Sequence, residues 1–122
     1  MKTILLIEDN LEIRENTCEI LDLEGYNVIA AANGAIGLEL AKENLPDMIL
    51  CDIFMPKLNG YEVFEELKKD ANTKNIPFVF LTASADKYEV ETGLGMGADG
   101  YIRKPFEHDE LMNQIELCLN LC

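Results

Sequence analysis

Short apolar runs alternate along the chain with segments in which apolar residues recur at helical spacing. The apolar runs predict strands at residues 3–7, 26–30, 48–51, 78–81 and 101–103. The segments between them predict five helices: one after Asn10 that ends at Gly25, then 33–44, 61–69 and 86–94, and one from just after Phe106 to the C-terminus. Strands that alternate with helices indicate an α/β domain with a parallel sheet. No linker or repeat interrupts the pattern, so we expect one domain over residues 1–122.

The predicted C-terminal helix has one apolar stripe and two leucines outside it. The stripe contains Leu111, Met112, Ile115, Cys118, Leu119 and Cys122. Leu117 and Leu121 are four residues apart on the other side, where neighbouring side chains share a face. They are either scattered surface leucines or part of a docking or dimer patch.

The amino-acid composition excludes several classes of partner and metal site. The chain has 122 residues, of which 48% are hydrophobic, and a formal net charge of −13. This charge argues against nucleic acid as a partner, because phosphate backbones are bound by Lys and Arg. Four cysteines without a CxxC pair, and a single histidine, argue against a zinc site and for reduced thiols. With no signal peptide or membrane-spanning run, we expect a soluble, cytoplasmic protein.

Polar residues follow four of the predicted strands, at the sheet edge where open α/β folds bind ligands. They are Glu8 and Asp9 after the first strand, Asp52 after the third, Thr82 after the fourth and Lys104 after the fifth. Considered singly, these charged residues more often have no functional role: Glu8 and Asp9 would be acids at a helix N-terminus, Asp52 a loop acid and Lys104 a surface cation. Neighbouring carboxylates repel one another unless a cation joins them, and an all-oxygen cluster suits Mg²⁺.

The chain resembles the receiver domain of two-component response regulators, either in the stand-alone form typical of chemotaxis regulators or as one receiver from a longer protein. The resemblance rests on four stretches in the expected order: EDN at 8–10, DIFMPKLNG at 52–60, LTAS at 81–84 and YIRKPF at 101–106. It implies a flavodoxin-like doubly wound sheet of five parallel strands in the order 2-1-3-4-5, with helices on both faces. The chain is then a signalling protein that catalyses only its own phosphorylation and dephosphorylation.

The resemblance also implies roles for the site residues. Asp52 is the phosphoacceptor, and Mg²⁺ is held by Asp9, Asp52, the backbone carbonyl of Phe54 and, through water, Glu8. Thr82 and Lys104 contact the phosphoryl oxygens, and a cis peptide before Pro105 directs the lysine inward. Thr82 and Tyr101 form a switch in which the aromatic ring follows the threonine. Without the resemblance, Tyr101 would be interpreted as an ordinary half-buried aromatic residue of a strand.

The implied partners are a sensor histidine kinase or a histidine phosphotransfer protein, and an output protein that the sequence does not identify. A homodimer is left open. The C-terminal helix carries no Arg or Lys, so we do not expect the charged dimer face of transcription-factor receivers.

The chain departs from the usual family pattern at several positions. Glu8 replaces the more common aspartate. Phe54 and Ser84, each two residues beyond a site residue, occupy positions that in this family tune phosphate loss. A bulky apolar Phe54 cannot orient an attacking water, so we expect a long-lived acyl phosphate. Gly37 stands where alanine is usual, at a cost of about 1 kcal/mol in a helix.

Other functions fit the sequence less well. The main alternative is a pseudo-receiver, a protein-binding module that is not phosphorylated. A flavin or nucleotide binder is disfavoured because acidic strand ends repel phosphate, and a Mg²⁺-dependent hydrolase because no second acid closely follows Asp52. The stretch GLGMGA at 93–98 fits a dinucleotide fingerprint, but it closes a predicted helix instead of opening one.

Overall fold

The fold is a five-stranded parallel sheet with helices on both faces. The structure is a computed structural model that describes residues 2–82, 95, 97–104 and 106–121, with the backbone alone at 120 and 121. The strands are β1 (Thr3–Ile7), β2 (Asn27–Ala31), β3 (Met48–Asp52), β4 (Phe78–Thr82) and β5 (Gly100–Arg103). The helices are α1 (Leu11–Leu23), α2 (Gly34–Asn44), α3 (Gly60–Lys68) and α4 (His108–Leu121). The strand order is β2-β1-β3-β4-β5, which confirms the predicted flavodoxin-like topology.

The predicted elements agree with the structure to within a residue or two. Strands β3 and β4 each extend one residue beyond the predicted end, so Asp52 and Thr82 are the last residues of their strands. The predicted helix at 86–94 lies outside the described residues. No helix in the described part of the chain is long and apolar enough to cross a membrane.

Three helices begin with an asparagine N-cap at the same edge of the sheet. The side-chain oxygens of Asn10, Asn33 and Asn59 accept hydrogen bonds from the backbone N–H groups of Ile13, Ile36 and Glu62, at 2.9–3.0 Å. At Asn59 the Glu62 side chain also accepts from the Asn59 N–H, which completes a capping box. These caps fix where the chain turns after β1, β2 and β3, and so hold the turns that border the carboxyl ends of the strands.

The sheet has a hydrophobic core on each face because successive strand residues point to opposite sides. Leu5 and Ile7 pack with Val63 and Phe64 of α3, whereas Ile4 and Leu6 pack with residues of α1 and α4. The stripe predicted for the C-terminal helix is confirmed in its described part: Leu111, Met112, Ile115 and Cys118 are buried, and Leu119 packs against them. Leu117 is 54% exposed, as expected.

Two glycines allow close approaches between elements. Gly37 is buried in α2, and a Cβ atom there would overlap the Ile7 side chain, which explains a residue that helix propensity disfavours. Gly60 begins α3, and a Cβ atom there would overlap the backbone carbonyl oxygen of Asp52 and lie 2.9 Å from the Ile53 Cα. The Gly60 N–H also donates to the Ile53 carbonyl at 2.8 Å. The turn after β3 therefore folds tightly against the end of its own strand.

We predict that Gly60→Ala destabilises the protein by about 2 kcal/mol, because backbone atoms cannot give way to the added methyl group as a flexible side chain can. Urea denaturation followed by circular dichroism measures the loss. Gly95→Ala is the control, since a Cβ atom at Gly95 would meet no atom of the described residues within 4 Å. Equal free energies of unfolding for the two variants would show that the turn after β3 can make room for the added methyl group at no cost.

Candidate functional site

The register of the strands assembles the predicted site residues at one edge of the sheet. Ile7 of β1 is paired with Cys51 of β3, so the residues that follow, Glu8 and Asp52, end neighbouring strands at the same level. Asp52 is paired with Leu81, and Thr82 with Arg103. Asp52 and Thr82 thus end β3 and β4, and Glu8 and Lys104 directly follow β1 and β5.

Lys104 connects the two buried carboxylates. Its Nζ lies 2.8 Å from Glu8 Oε1 and 3.2 Å from Asp52 Oδ1. The Glu8 side chain is completely buried, and those of Asp52 and Lys104 are 7% and 10% exposed. The backbone N–H of Lys104 donates to the Thr82 carbonyl at 2.6 Å, which fixes the start of the lysine side chain. A buried ion pair needs such additional bonds to offset the loss of water.

Glu8 is held from several directions. Its Oε2 accepts from the Asn10 N–H at 3.2 Å, and its backbone N–H donates to the Ala31 carbonyl at 3.0 Å. The Arg14 guanidinium donates to the Glu8 backbone carbonyl at 2.9 Å. Arg14 was not among the predicted site residues, although it is the only basic residue of α1 and lies two turns or less from the strand end. Its position as a lone cation in an acidic helix is the sequence feature that could have indicated it.

The charges in this site are not balanced. Burial raises the pKa of Asp52, and the nearby Glu8 carboxylate raises it further; Lys104 opposes both, and the result is about 7. Burial alone would lower the pKa of Lys104, but its contacts with Glu8 and Asp52 outweigh this effect and raise it. One ammonium group therefore compensates two buried carboxylates only in part, so near neutral pH Asp52 is poised to take up a proton.

The same acids form a group that fits a divalent cation. Carboxylate oxygens of Glu8, Asp9 and Asp52 all lie within 4.8 Å of one another, and Asp9 is exposed to solvent. Three hard oxygen donors, one open side and an excess of negative charge suit Mg²⁺, which retains several water ligands. The donor set present in the chain thus agrees with the metal expected from the sequence.

The turn after β3 carries Phe54 beside this group. The Phe54 side chain is 55% exposed, and Lys57, further along the turn, has a positive φ of 69°. The Ile53 N–H donates to the Leu81 carbonyl at 3.0 Å, so the turn leaves the sheet just after Asp52. The role of the Phe54 carbonyl as a metal ligand stays a prediction.

Thr82 and Tyr101 share one face of the sheet. Tyr101 is paired with Phe80 on the neighbouring strand, and Thr82 lies two residues beyond Phe80 on the same face. Diagonal neighbours of this kind lie close enough for an aromatic ring to contact the smaller side chain. Thr82 is buried, whereas Tyr101 is 39% exposed. The predicted cis peptide before Pro105 and the residue Ser84 lie outside the described residues.

The three described cysteines do not form disulfides. Cys18, Cys51 and Cys118 are reduced cysteines outside any disulfide, as predicted. Burial raises the pKa of Cys51 well above its ordinary value, and the charges of Asp52 and Glu8 raise it further. This thiol therefore stays protonated beside the site.

Comparisons with known proteins agree with the fold and the site. The sequence model of the response regulator receiver domain matches residues 4–116. A probable transcriptional regulator, ycf27, of Porphyridium aerugineum is 41% identical over 116 residues, which cover 95% of this chain and 47% of that protein. Histidine kinase P4 of Formosa agariphila is 40% identical over 114 residues, 93% of this chain and 8% of the kinase. The chain spans about half the length, or less, of the curated relatives it matches.

Solved structures match over the whole fold. A putative response regulator from Chloroflexus aurantiacus has a TM-score of 0.93 at 33% identity, with 98% of both chains covered. The chemotaxis protein CheY4 of Vibrio cholerae has a TM-score of 0.92 at 28% identity, covering 97% of this chain and 98% of that one.

The fold and its acidic edge define a flavodoxin-like domain of the chemotaxis-regulator type. The chain belongs to the response regulator receiver domain family of two-component signalling.

We predict that Asp52→Asn stabilises the metal-free protein more at pH 8.5 than at pH 5, by roughly 2 kcal/mol. A carboxyl group whose pKa is raised in the folded state contributes stability that is present below its unfolded pKa and is lost as pH rises through about 7. The substitution removes that loss. Urea denaturation in EDTA at both pH values measures the difference between variant and wild type.

The control for this measurement is Glu65→Gln, which removes an exposed acid on α3. Its effect on stability should stay within about 0.5 kcal/mol at both pH values, as is usual for surface substitutions. A stability difference between Asp52→Asn and wild type that does not change from pH 5 to pH 8.5 would contradict the raised pKa.

Proposed function

We propose that this chain is a phosphorylation-controlled signalling switch, in which Asp52 accepts a phosphoryl group from a phosphohistidine and the chain forms one receiver domain over residues 1–122. Membership of the receiver family implies phosphoacceptor signalling in a two-component system. The observation that carries the assignment to Asp52 is its place in the cluster with Glu8 and Lys104. Asp52 is the last residue of the central strand β3 and lies 3.2 Å from the lysine, and its side chain is 7% exposed, whereas that of Glu8 is completely buried.

The proposed reaction needs a deprotonated Asp52. One carboxylate oxygen attacks the phosphorus atom, the phosphorus–nitrogen bond to the donor imidazole breaks, and its electron pair leaves with the imidazole nitrogen. Phosphoryl transfer depends mainly on positioning and on stabilising charge. The Lys104 ammonium lies 3.2 Å from the nucleophile and is positioned to neutralise the phosphoryl oxygens, and the Thr82 hydroxyl donates a hydrogen bond to one of them.

Glu8, Asp9, Asp52 and the Phe54 backbone carbonyl would hold the magnesium ion, with Glu8 acting through water. When bound, Mg²⁺ supplies positive charge to the nucleophilic carboxylate and the incoming phosphoryl oxygens together. The acids themselves would fix its place at the edge of the sheet. The supporting observation is that one ammonium group leaves the buried carboxylates incompletely compensated.

The partners we propose are a sensor histidine kinase or histidine phosphotransfer protein as donor and an output protein that reads the switch. Receiver domains occur both in the transcriptional regulators and in the histidine kinase to which this chain is similar. The cytoplasmic location, and the long lifetime of the acyl phosphate inferred from Phe54, stay predictions. The Phe54 side chain has no hydrogen-bonding atom with which to orient water.

We predict that acetyl phosphate with Mg²⁺ adds a single phosphoryl group to the wild-type chain and none to Asp52→Asn, because the amide is not a nucleophile. Intact-protein mass spectrometry measures the adduct, and EDTA should abolish it. Asp109→Asn, which changes an exposed acid at the start of α4, is the control and should be labelled like wild type. A folded wild-type chain without any adduct would instead favour the unphosphorylated pseudo-receiver.

The switch that we propose joins Thr82 to Tyr101. A phosphoryl group on Asp52 gives the Thr82 hydroxyl a new acceptor, and the Tyr101 ring then moves towards the space that the threonine leaves. Phosphorylation shifts this equilibrium only if the phosphoryl group interacts better with one arrangement than with the other. The support is that both side chains lie on one face of adjacent strands, with Tyr101 partly exposed.

We predict that the ring resonances of Tyr101 change when the phosphate mimic beryllofluoride is added with Mg²⁺, because the ring passes from a partly exposed to a more buried environment. NMR of protein with labelled tyrosines measures the change. Tyr26 provides an internal control, since it packs with the core on the α1 and α4 side of the sheet. Identical Tyr101 resonances with and without the mimic would contradict the switch.

A further inference from the structure

Arg14 is a single basic residue in an otherwise acidic helix, and helix stability does not explain it. It lies in the first turn of α1, close behind the N-cap Asn10, where the helix dipole disfavours a positive charge. Glu12 and Glu15 lie beside it in the sequence and are exposed. Among the described residues, however, the Arg14 guanidinium donates to a backbone carbonyl and not to an acid. The position of this arginine therefore needs another explanation.

The carbonyl that Arg14 contacts belongs to the peptide bond between Glu8 and Asp9. Arg14 Nη1 lies 2.9 Å from this oxygen, and the backbone N–H of Glu8 donates to the Ala31 carbonyl at 3.0 Å. The backbone of Glu8 is thus held at both ends. Because a peptide group is planar and rotates only about the dihedrals beside it, its orientation determines the directions in which the Glu8 and Asp9 side chains leave the backbone.

Three hydrogen bonds join Arg14 and this strand end in a closed ring. The Arg14 N–H donates to the Asn10 carbonyl at 2.9 Å, the Asn10 N–H donates to Glu8 Oε2 at 3.2 Å, and the Arg14 side chain returns to the Glu8 carbonyl. The first turn of α1 is therefore connected to both the side chain and the backbone of Glu8. Loss of the guanidinium would open this ring and leave the backbone of Glu8 held at its N–H alone.

A positioning role and a charge role predict opposite effects of Arg14 on a bound cation. If Arg14 mattered mainly as a positive charge, it would repel the cation, and its removal would tighten metal binding. A group that orients metal ligands without touching the metal has the opposite effect, because its removal weakens binding by about 10- to 100-fold. The charges that shift the pKa of Asp52 are those of Glu8 and Lys104, which favours the positioning role for Arg14.

We propose that Arg14 is a positioning residue for the metal site, which holds the peptide between Glu8 and Asp9 so that the two carboxylates stay at the spacing a divalent cation needs. Carboxylate oxygens of these two acids and of Asp52 lie within 4.8 Å of one another. The inference rests on the proposed Mg²⁺-dependent phosphorylation of Asp52. It adds a residue that touches neither the metal nor the phosphoryl group.

The test measures the affinity of the unphosphorylated protein for Mg²⁺ by NMR titration, followed through the backbone amide resonances. Arg14→Met removes the donor and the charge but keeps side-chain length, whereas Arg14→Lys keeps the charge and one donor group. Lys42→Met is the matched control, because it removes an equal charge from an exposed position in the last turn of α2. The dependence of acetyl-phosphate labelling on Mg²⁺ concentration gives a second readout.

We expect Arg14→Met to raise the Kd for Mg²⁺ about tenfold. Arg14→Lys should stay within about threefold of wild type, because its ammonium group can donate to the same carbonyl but lacks the planar fork. Lys42→Met should stay within about twofold, because salt screens distant exposed charges. At saturating Mg²⁺ the labelling rate of Arg14→Met should return to within about twofold of wild type, since the phosphoacceptor and Lys104 are unchanged.

Several outcomes would overturn the positioning role of Arg14. One is an unchanged or lower Kd in Arg14→Met, and another is an equal rise in Lys42→Met, which would make net charge the cause. A labelling rate that stays low at saturating Mg²⁺ would also overturn it, because that result indicates general disruption of the fold. Failure of acetyl phosphate to label the wild-type chain would instead contradict the proposed function, and the Mg²⁺ affinities would still test Arg14.

Discussion

The site depends on one ion-pair arrangement, the Lys104 ammonium group placed between Glu8 and Asp52. Two carboxylates end adjacent strands, and neither is reached freely by water. An unpaired buried charge is costly, so the lysine offsets part of the cost of keeping these two acids ionised. The strand order makes this possible, because it places β1 beside β3 and brings the residue after β5 back across the end of β4.

The positive charge of Lys104 offsets only part of the negative charge of Glu8 and Asp52. A site with such a charge excess can change state when a cation or a proton binds. One cation between two carboxylates leaves negative charge that a proton on Asp52 or a divalent cation can offset. A phosphoryl group on Asp52, as proposed, would add further negative charge at the same place and would compete with Glu8 for the Lys104 ammonium group. The 2.8 Å contact between Lys104 and Glu8 would then be weaker than in the unphosphorylated site.

Local sequence pattern was sufficient to predict the elements but not the contacts between them. Apolar runs placed the strands to within a residue or two, because burial in a parallel sheet demands continuous apolar stretches. The direct bond between Lys104 and Glu8 was not predicted, since it joins residues 96 positions apart and depends on side-chain packing. From the sequence alone Gly37 only weakens its helix, whereas in the structure it allows a close approach to Ile7 that depends on how the helix packs on the strand.

A buried nucleophile and an external donor impose opposite demands on the edge of the sheet. Electrostatic stabilisation of the phosphoryl group is strongest where water is excluded, yet the edge must stay open for the donor to reach Asp52. The Asp52 side chain is 7% exposed, so it is largely removed from water and yet not completely enclosed at the end of β3. The same burial raises the pKa of Asp52 to about 7, and the Lys104 ammonium group opposes that rise. A carboxylate that must react at this edge would therefore depend on Lys104, and on a bound cation, to stay ionised.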